Sequence, residues 1–401
     1  MVNNQNEISD ERQEGLAIYE NWRAEIGGKP SLGAFEVPLY TDAHITGVIK
    51  DGYGPYQFLN TVPWPETPEE PPIILRVENY LAYDSAKAMK RTDDTLYHGG
   101  WLADEIASLA SLCMGIRLKA GGVTRRFSPH GDPRGDPVAH YSFMKPVPFE
   151  KGNYDLILPQ ATGSHSLMKM EPLSTLLTLS PMDVVALIRA ARLYQDGVWI
   201  AESQPALSWL MFVSAIETAA NWRSAKEDPV ERMEASRPDV VRILENAGGR
   251  SLVREVAEMM ADYMGATKKF ITFILTFLPK PPEKRPQWNQ HSWELPAMKR
   301  SMGIIYKYRS KALHAGTPFP TPMCLPSYMH QGWEAPSEIP SGLAASAAGG
   351  VWVKEDIPML LHTFEYIVRH CLLNWWKLMV RESLQRKSNK SENEGQTLET
   401  Q

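Results

Sequence analysis

SPMDVVALIRAARLYQDG, residues 180–197, followed closely by PALSWLMFVSAIETAANWR, residues 205–223, is where the character of this chain changes. Ser180 can cap a helix, Pro181 is tolerated at its first position, and Asp183 suits the positive end of the helix dipole. Val184, Leu187, Ile188 and Ala191 then recur on one face, and Gly197 reads as the stop. The second stretch is apolar almost all round, which marks a central helix. After this point the chain reads as mainly helical, whereas short strands dominate the part before it.

On the N-terminal side, residues 9–25 predict a short leading helix. From about Pro30 to Gln160, prolines and glycines separate short alternating runs. FEVPLY (35–40), AHITGVI (43–49), PIILRVENYLAY (72–83), HYSFMKPVPF (140–149) and YDLILP (154–159) read as strands. One helix is expected among them at 100–118, where Leu102, Ile106, Leu109, Cys113 and Ile116 keep helical spacing. On the C-terminal side, helices are expected at about 238–247, 251–264, 267–278, 297–315 and 356–383. A surface connection (317–355) precedes the last, whose stripe is Leu360, Phe364, Ile367, Cys371, Trp375 and Leu378. The organisation is therefore an N-terminal helix or arm (1–28), an α+β domain (29–170), an all-α helical bundle (171–383) and a polar tail (384–401) whose composition predicts disorder.

The chain has 401 residues, enough for two or three domains. It is 43% hydrophobic and 22% charged, as soluble globular proteins are. A polar, acidic start without a signal-peptide pattern, and no apolar run of membrane-spanning length, predict a cytoplasmic protein with no membrane partner. The three cysteines, Cys113, Cys324 and Cys371, have no metal or disulfide spacing. Net charge is −5, yet residues 264–316 hold ten basic residues against Glu283 and Glu294, a local balance of +8. Such a concentration of cations in an acidic chain predicts contact with a phosphate backbone. Lys299, Arg300, Lys307 and Lys311 are the candidate RNA-binding residues.

Within that basic region lies YKYRSKALHAGTPFP, residues 306–320. Arginine followed five or six residues later by histidine also occurs at Arg125/His130, Arg134/His140 and Arg285/His291, but each of those contains or adjoins proline or glycine. Only Arg309 and His314 lie inside a continuous helical pattern, ended by Gly316 and Pro318. Five residues apart on a helix is about 140° and about 7.5 Å along the axis. The two side chains therefore leave different faces, and joint action on one phosphate requires a second copy of the chain.

YRSKALHAG resembles the closing motif of HEPN domains, in particular the Apea-like group, and WLMFVSAIETAANWRS (209–224) resembles the earlier helix of those domains, with its glutamate after an apolar run. The resemblance covers roughly residues 175–380 and implies an HEPN-like helical bundle, a homodimer and a metal-independent ribonuclease needing no cofactor. It implies Arg309 and His314 as catalytic residues, with Ser310 and Glu217 supporting them, in a toxin or antiviral defence effector. The region 29–170 would then sense a trigger, such as a phage component, or bind a regulatory protein. Ser310 stands where better-known members have Asn, Asp or His, and Ala315 separates His314 from the glycine; this suits the alternative of a non-catalytic dimer binding RNA or a protein.

The implied chemistry uses the 2′-OH of RNA as nucleophile. Histidine, with an ordinary pKa near ~6.5, can move the protons, and arginine can hold the charged phosphate oxygens. The products would be a 2′,3′-cyclic phosphate and a 5′-hydroxyl. Glu217, with Ser214 and Asn221, forms a polar stripe on an apolar helix, and serves either to orient Arg309 or to satisfy a structural bond. Trp288 and Trp293, among the basic residues, either stack on unpaired bases or belong to the core. A third reading, a metal-dependent hydrolase, would use HGDPRGDPVAH (130–140) with Asp93, Asp94, His98, Asp104 and Glu105, although Asp-Pro and Gly-Asp steps are more simply turns.

Overall fold

The computed structural model describes residues 14–61, 73–82, 92–138, 156–224, 228–260, 265–341, 344–347 and 349–398. A sheet-containing N-terminal region is followed by a mostly helical C-terminal part. The former comprises α1 (Ala17–Ile26), β1 (Ala34–Tyr40), β2 (His44–Thr46), β3 (Tyr56–Asn60), β4 (Ile73–Glu78), α2 (Leu102–Met114), β5 (Lys119–Ala120), β6 (Arg125–Phe127), β7 (Asp136–Pro137) and β8 (Ser164–Ser166). The latter comprises α3 (Pro181–Ile200), α4 (Pro205–Ser224), α5 (Pro229–Ser236), α6 (Pro238–Met260), α7 (Ala266–Phe277), α8 (Leu295–Ala315), a hairpin of β9 (Ala344–Ala347) and β10 (Gly350–Val353), and α9 (Leu361–Leu398). A 3-10 segment, Leu167–Thr178, joins the two parts.

The main sheet is antiparallel, in the order β3-β4-β1-β6-β7, with β5 also pairing with β1. Its register follows the period of two. Ile73, Leu75 and Val77 alternate into the core, and Val37 and Phe58 lie opposite Leu75. Glu36 lies opposite Arg76 in this register, and the pair closes a cross-strand ion pair at 2.6 Å. α2 is buried along almost its whole surface.

One continuous core runs from β4 and α2 into α3, α4, α7, α8 and α9, so the change of secondary structure near residue 170 is not a gap in packing. Polar ties cross the same boundary. Arg117, buried at 1% side-chain exposure, donates to Asp42 at 2.7 Å and to Glu202 at 3.3 Å. Arg189 of α3 donates to the carbonyls of Asp94, Thr95 and Tyr97.

α3 begins as its sequence dictates. The Ser180 hydroxyl accepts the amide hydrogen of Asp183 at 3.1 Å, a cap of about 1 kcal/mol. Gly197, however, does not end the helix, which runs on to Ile200. A Cβ at Gly197 would lie 2.7 Å from Phe212 Cε1, and the Ser208 hydroxyl donates to the Gly197 carbonyl at 2.7 Å. The glycine therefore serves close contact with α4 rather than termination. α4 is central: Trp209 is stacked between Phe364 and Phe319, at 4.7 and 5.2 Å, and donates to the Met323 carbonyl at 3.2 Å.

Other expectations need adjustment. The leading helix starts at Ala17, the part before residue 14 lying outside the described residues. Residues 140–149 and the start of 154–159 also lie outside them; Ile157 and Leu158 form no strand, their amides donating instead to Glu202 at 2.8 and 2.9 Å. The connection 317–355 contains the β9–β10 hairpin. The tail expected to be disordered from 384 is helical to Leu398. Residues 384–389, the last whose exposure is described, are all exposed, so that stretch of the extension lies outside the core. Gly248 and Gly249 break α6, and its two halves pack with α5 around Met233, Val241, Val253 and Ala257, a small core separate from the main one. Among the described residues no helix is long and apolar enough to cross a membrane.

Candidate functional site

α8 carries seven of the eight candidate residues, Glu217 being on α4, and its two faces have different chemistry. At about 100° per residue, Lys299, Arg300, Lys307, Ser310, Lys311 and His314 fall within one arc of about 120°. Five of them are exposed and Ser310 is half-buried. No acid occurs between Leu295 and Ala315, so this face is uniformly cationic over about 22 Å of helix. Gly316, at φ 62°, ends the helix in the left-handed conformation, its amide donating to the Lys311 carbonyl. His314 stands in that last turn, where a cation is favoured by the dipole.

The opposite face is core. Met298, Met302 and Ile305 are fully buried there, and Arg309 emerges in their midst. Its side chain is only 21% exposed. Nη2 donates to Glu217 Oε2 at 2.8 Å, while the Tyr306 hydroxyl donates to Glu217 Oε1 at the same distance. Glu217, on α4 and 15% exposed, thus gathers both donors. The guanidinium also lies 5.5 Å from the Tyr306 ring centroid. Its Nε is buried and makes no hydrogen bond. Burial, then the hydrogen bond to Glu217, pushes the Tyr306 hydroxyl up to about 12.

The polar stripe of α4 therefore faces the basic elements. Glu217 meets α8, and Asn221 one turn on accepts from Lys269 Nζ of α7 at 3.4 Å. Ser214 has a local role, its carbonyl accepting from the Thr218 hydroxyl at 2.9 Å. Phe270 packs against Tyr306 at 5.2 Å and completes the wall.

The fold thus brings Glu217 to Arg309 and leaves His314 on the far side of the same helix. Lys299, Arg300, Lys307, Lys311 and Ser310 accompany His314, not Arg309. Tyr306 had no role assigned from sequence, although its place three residues before Arg309 puts both on one helix flank. Asn221 and Lys269 were equally unmarked as a pair.

Arg285 and His291 are structural. Arg285 Nε and Nη2 donate to the two oxygens of Glu338 at 2.7 and 2.5 Å, and Nη2 also donates to the His291 carbonyl at 2.6 Å. The His291 ring bonds Ser301 of α8 at 2.9 Å, and burial lowers its pKa to about 4. His370 is lowered to about 4, by burial first and then by Arg369. A histidine whose folded pKa lies below its unfolded value stabilises the fold above the latter, and that stability is lost as pH falls through the former. Urea midpoints should therefore fall as pH decreases from 6.5 toward 4; a midpoint flat across that window would contradict the burial of these rings.

The upstream acids act as caps and turns. Glu105 accepts the Ile18 amide at 2.7 Å and pairs with His98 at 2.8 Å; Asp93 accepts the Thr95 amide, Asp104 the Trp101 amide and Asp132 the Arg134 amide. His130 is exposed and His140 lies outside the described residues. Among the described residues no three His, Cys, Asp or Glu side chains converge to hold a metal. Comparison of the chain with family models, with curated proteins and with solved structures returned no match.

Proposed function

We propose that this chain is an HEPN-type endoribonuclease acting as a homodimer, with α8 as its RNA-binding element. The observation that supports this reading most is the acid-free face of α8, where His314 is exposed in a row with Lys299, Arg300, Lys307 and Lys311. Phosphates drawn to the cations pass directly over the histidine, next to the Ser310 hydroxyl. His314 takes the 2′-OH proton as the 2′-oxygen bonds to phosphorus, and the imidazolium so formed returns a proton to the departing 5′-oxygen as the P–O bond breaks. Arg309 leaves the other side of α8, so the guanidinium that neutralises this phosphate is the one from the second copy, oriented there by its own Glu217 and Tyr306. Such an activity would harm its own cell, so the region 29–170 is assigned a sensing or restraining role in a defence or toxin setting.

A second reading, an RNA-binding dimer without catalysis, has its own observation: Arg309 is already engaged by Glu217 on the buried face. The test separates the two. End-labelled RNA is incubated in excess EDTA with wild type and with Lys307→Glu/Lys311→Glu, and binding is followed against salt. Loss of two phosphate contacts should make the log–log salt slope shallower by ~1.4 for a single strand. Cleavage to 2′,3′-cyclic ends that falls with the reversals supports the nuclease. Salt-sensitive binding without cleavage favours the second reading, and a slope unchanged by the reversals removes α8 from both.

A further inference from the structure

Four rings cluster at the surface on the two segments that flank α8. Trp288 lies on the connector before it; Tyr328, His330 and Trp333 lie on the connector after it. Their centroids are 5.6 to 6.2 Å apart, mostly edge to face. Trp333 is the buried base of the group, at 9% exposure, whereas Trp288 is 63% and Tyr328 51% exposed, and His330 is exposed too. Edge-to-face packing sets the rim of one ring on the face of the next, and the exposure of Trp288 and Tyr328 leaves much of their ring surface to solvent. A single exposed aromatic is ordinary, but a cluster of them is not.

The platform is built, not draped. The Glu338 carboxylate, 5% exposed, holds Arg285 through both oxygens and accepts the His291 amide at 2.7 Å. The Asn289 carbonyl accepts the amides of Glu338 and Ile339 at 3.0 and 3.3 Å. Ser337 and Tyr328 exchange two further bonds, and the His362 ring of α9 fixes the Ser337 carbonyl at 2.7 Å. Asn289, directly after Trp288, has φ 58° and is the only non-glycine residue with positive φ among the described residues. Asparagine tolerates this left-handed conformation better than other non-glycine residues, and the surrounding bonds hold the turn in place.

Its position points to the ligand. The His291 ring is fastened to Ser301, one residue from Arg300 but on the buried side of α8, and Trp288 is three residues from His291, about 11 Å of chain at most. Lys280 and Lys284 are exposed on the same connector, against Glu283. We infer that Trp288, Tyr328 and His330, backed by Trp333, form a stacking platform for unpaired bases of the RNA whose phosphates follow α8, giving the site a preference for single strands. This inference rests on the RNA reading of α8. Stacking is available only to bases freed from a duplex, and it contributes about 1–3 kcal/mol per base.

The probe is a 12-nucleotide 2′-O-methyl RNA, which lacks the attacking hydroxyl, used single-stranded and as its duplex. Binding to the full chain is followed by anisotropy for wild type, Trp288→Ala, Trp288→Phe and Lys307→Glu/Lys311→Glu. Trp288→Ala should weaken single-strand binding by about 5- to 150-fold, with Trp288→Phe restoring most of it and duplex binding unchanged. An unchanged single-strand affinity, or an equal loss on both forms, overturns the platform, while a loss from the lysine reversals keeps the α8 reading intact. Failure of the wild type to bind either RNA, including the case where the platform takes a proline-rich peptide instead, overturns both.

Discussion

Under the proposed nuclease reading, His314→Ala should abolish RNA cleavage while leaving the protein as stable as before. The side chain is exposed and no packed neighbour depends on it, so the unfolding free energy should stay within about 0.5 kcal/mol. A proton-transfer group positioned at the reacting atoms contributes about 10²–10⁴ in rate, and that is the loss expected. RNA binding should change far less, because Lys299, Arg300, Lys307 and Lys311 remain. The measurement is product formation in EDTA with end mapping, alongside urea unfolding of the same preparation. Undiminished yield of cyclic-phosphate ends would exclude His314 from the chemistry and leave α8 a binding surface only.

Glu217→Ala should have the opposite signature, a large loss of stability. The carboxylate accepts from Tyr306 and Arg309, both mostly buried, and its removal leaves a guanidinium and a phenol facing apolar neighbours without a partner. Breaking a fully buried pair costs about 3–5 kcal/mol. Here the partners are 15% and 21% exposed, so a loss of about 2–4 kcal/mol is expected, read as a lower urea midpoint at unchanged slope. Glu217→Gln keeps an acceptor for Tyr306 and should lose less. The double variant Glu217→Ala/Arg309→Ala should be less destabilised than the sum of the singles, because each single already removes the pair. Additivity within about 0.5 kcal/mol would mean that the carboxylate and the guanidinium are not coupled. Under the nuclease reading, Glu217→Ala also costs activity by releasing Arg309 from its orientation, so the two variants together divide chemistry from support.

Much of the fold was legible. The Ser180 cap, the all-round apolar α4 and the α9 stripe are local signals, and each appears where expected, although α9 runs on fifteen residues past its expected end. β1 and β4 were visible through their alternation. The short β3, β6 and β7 were not, since two to five residues carry too little pattern to stand out. Gly197 misled because a glycine inside a helix looks like a terminator, and only the side chain of Phe212 on a neighbouring helix explains it.

The same division runs through the site. The sequence of α8 by itself determined its two faces, because a period of 3.6 residues fixes that His314 leaves with Lys307 and that Arg309 leaves with Met302 and Ile305. It also determined the charge of the outer face, since no acid occurs between Leu295 and Ala315. What only the tertiary structure decided is the company of each face. Glu217 lies 92 residues before Arg309, and Glu338 lies 53 residues after Arg285. Such pairs depend on which helix packs on which, and packing follows from summed burial over the whole core, with no local pattern to reveal it. The aromatic platform is the clearest case. Trp288 and Trp333 are 45 residues apart in a chain with twelve tryptophans, and only the buried Glu338 clamp brings their rings together.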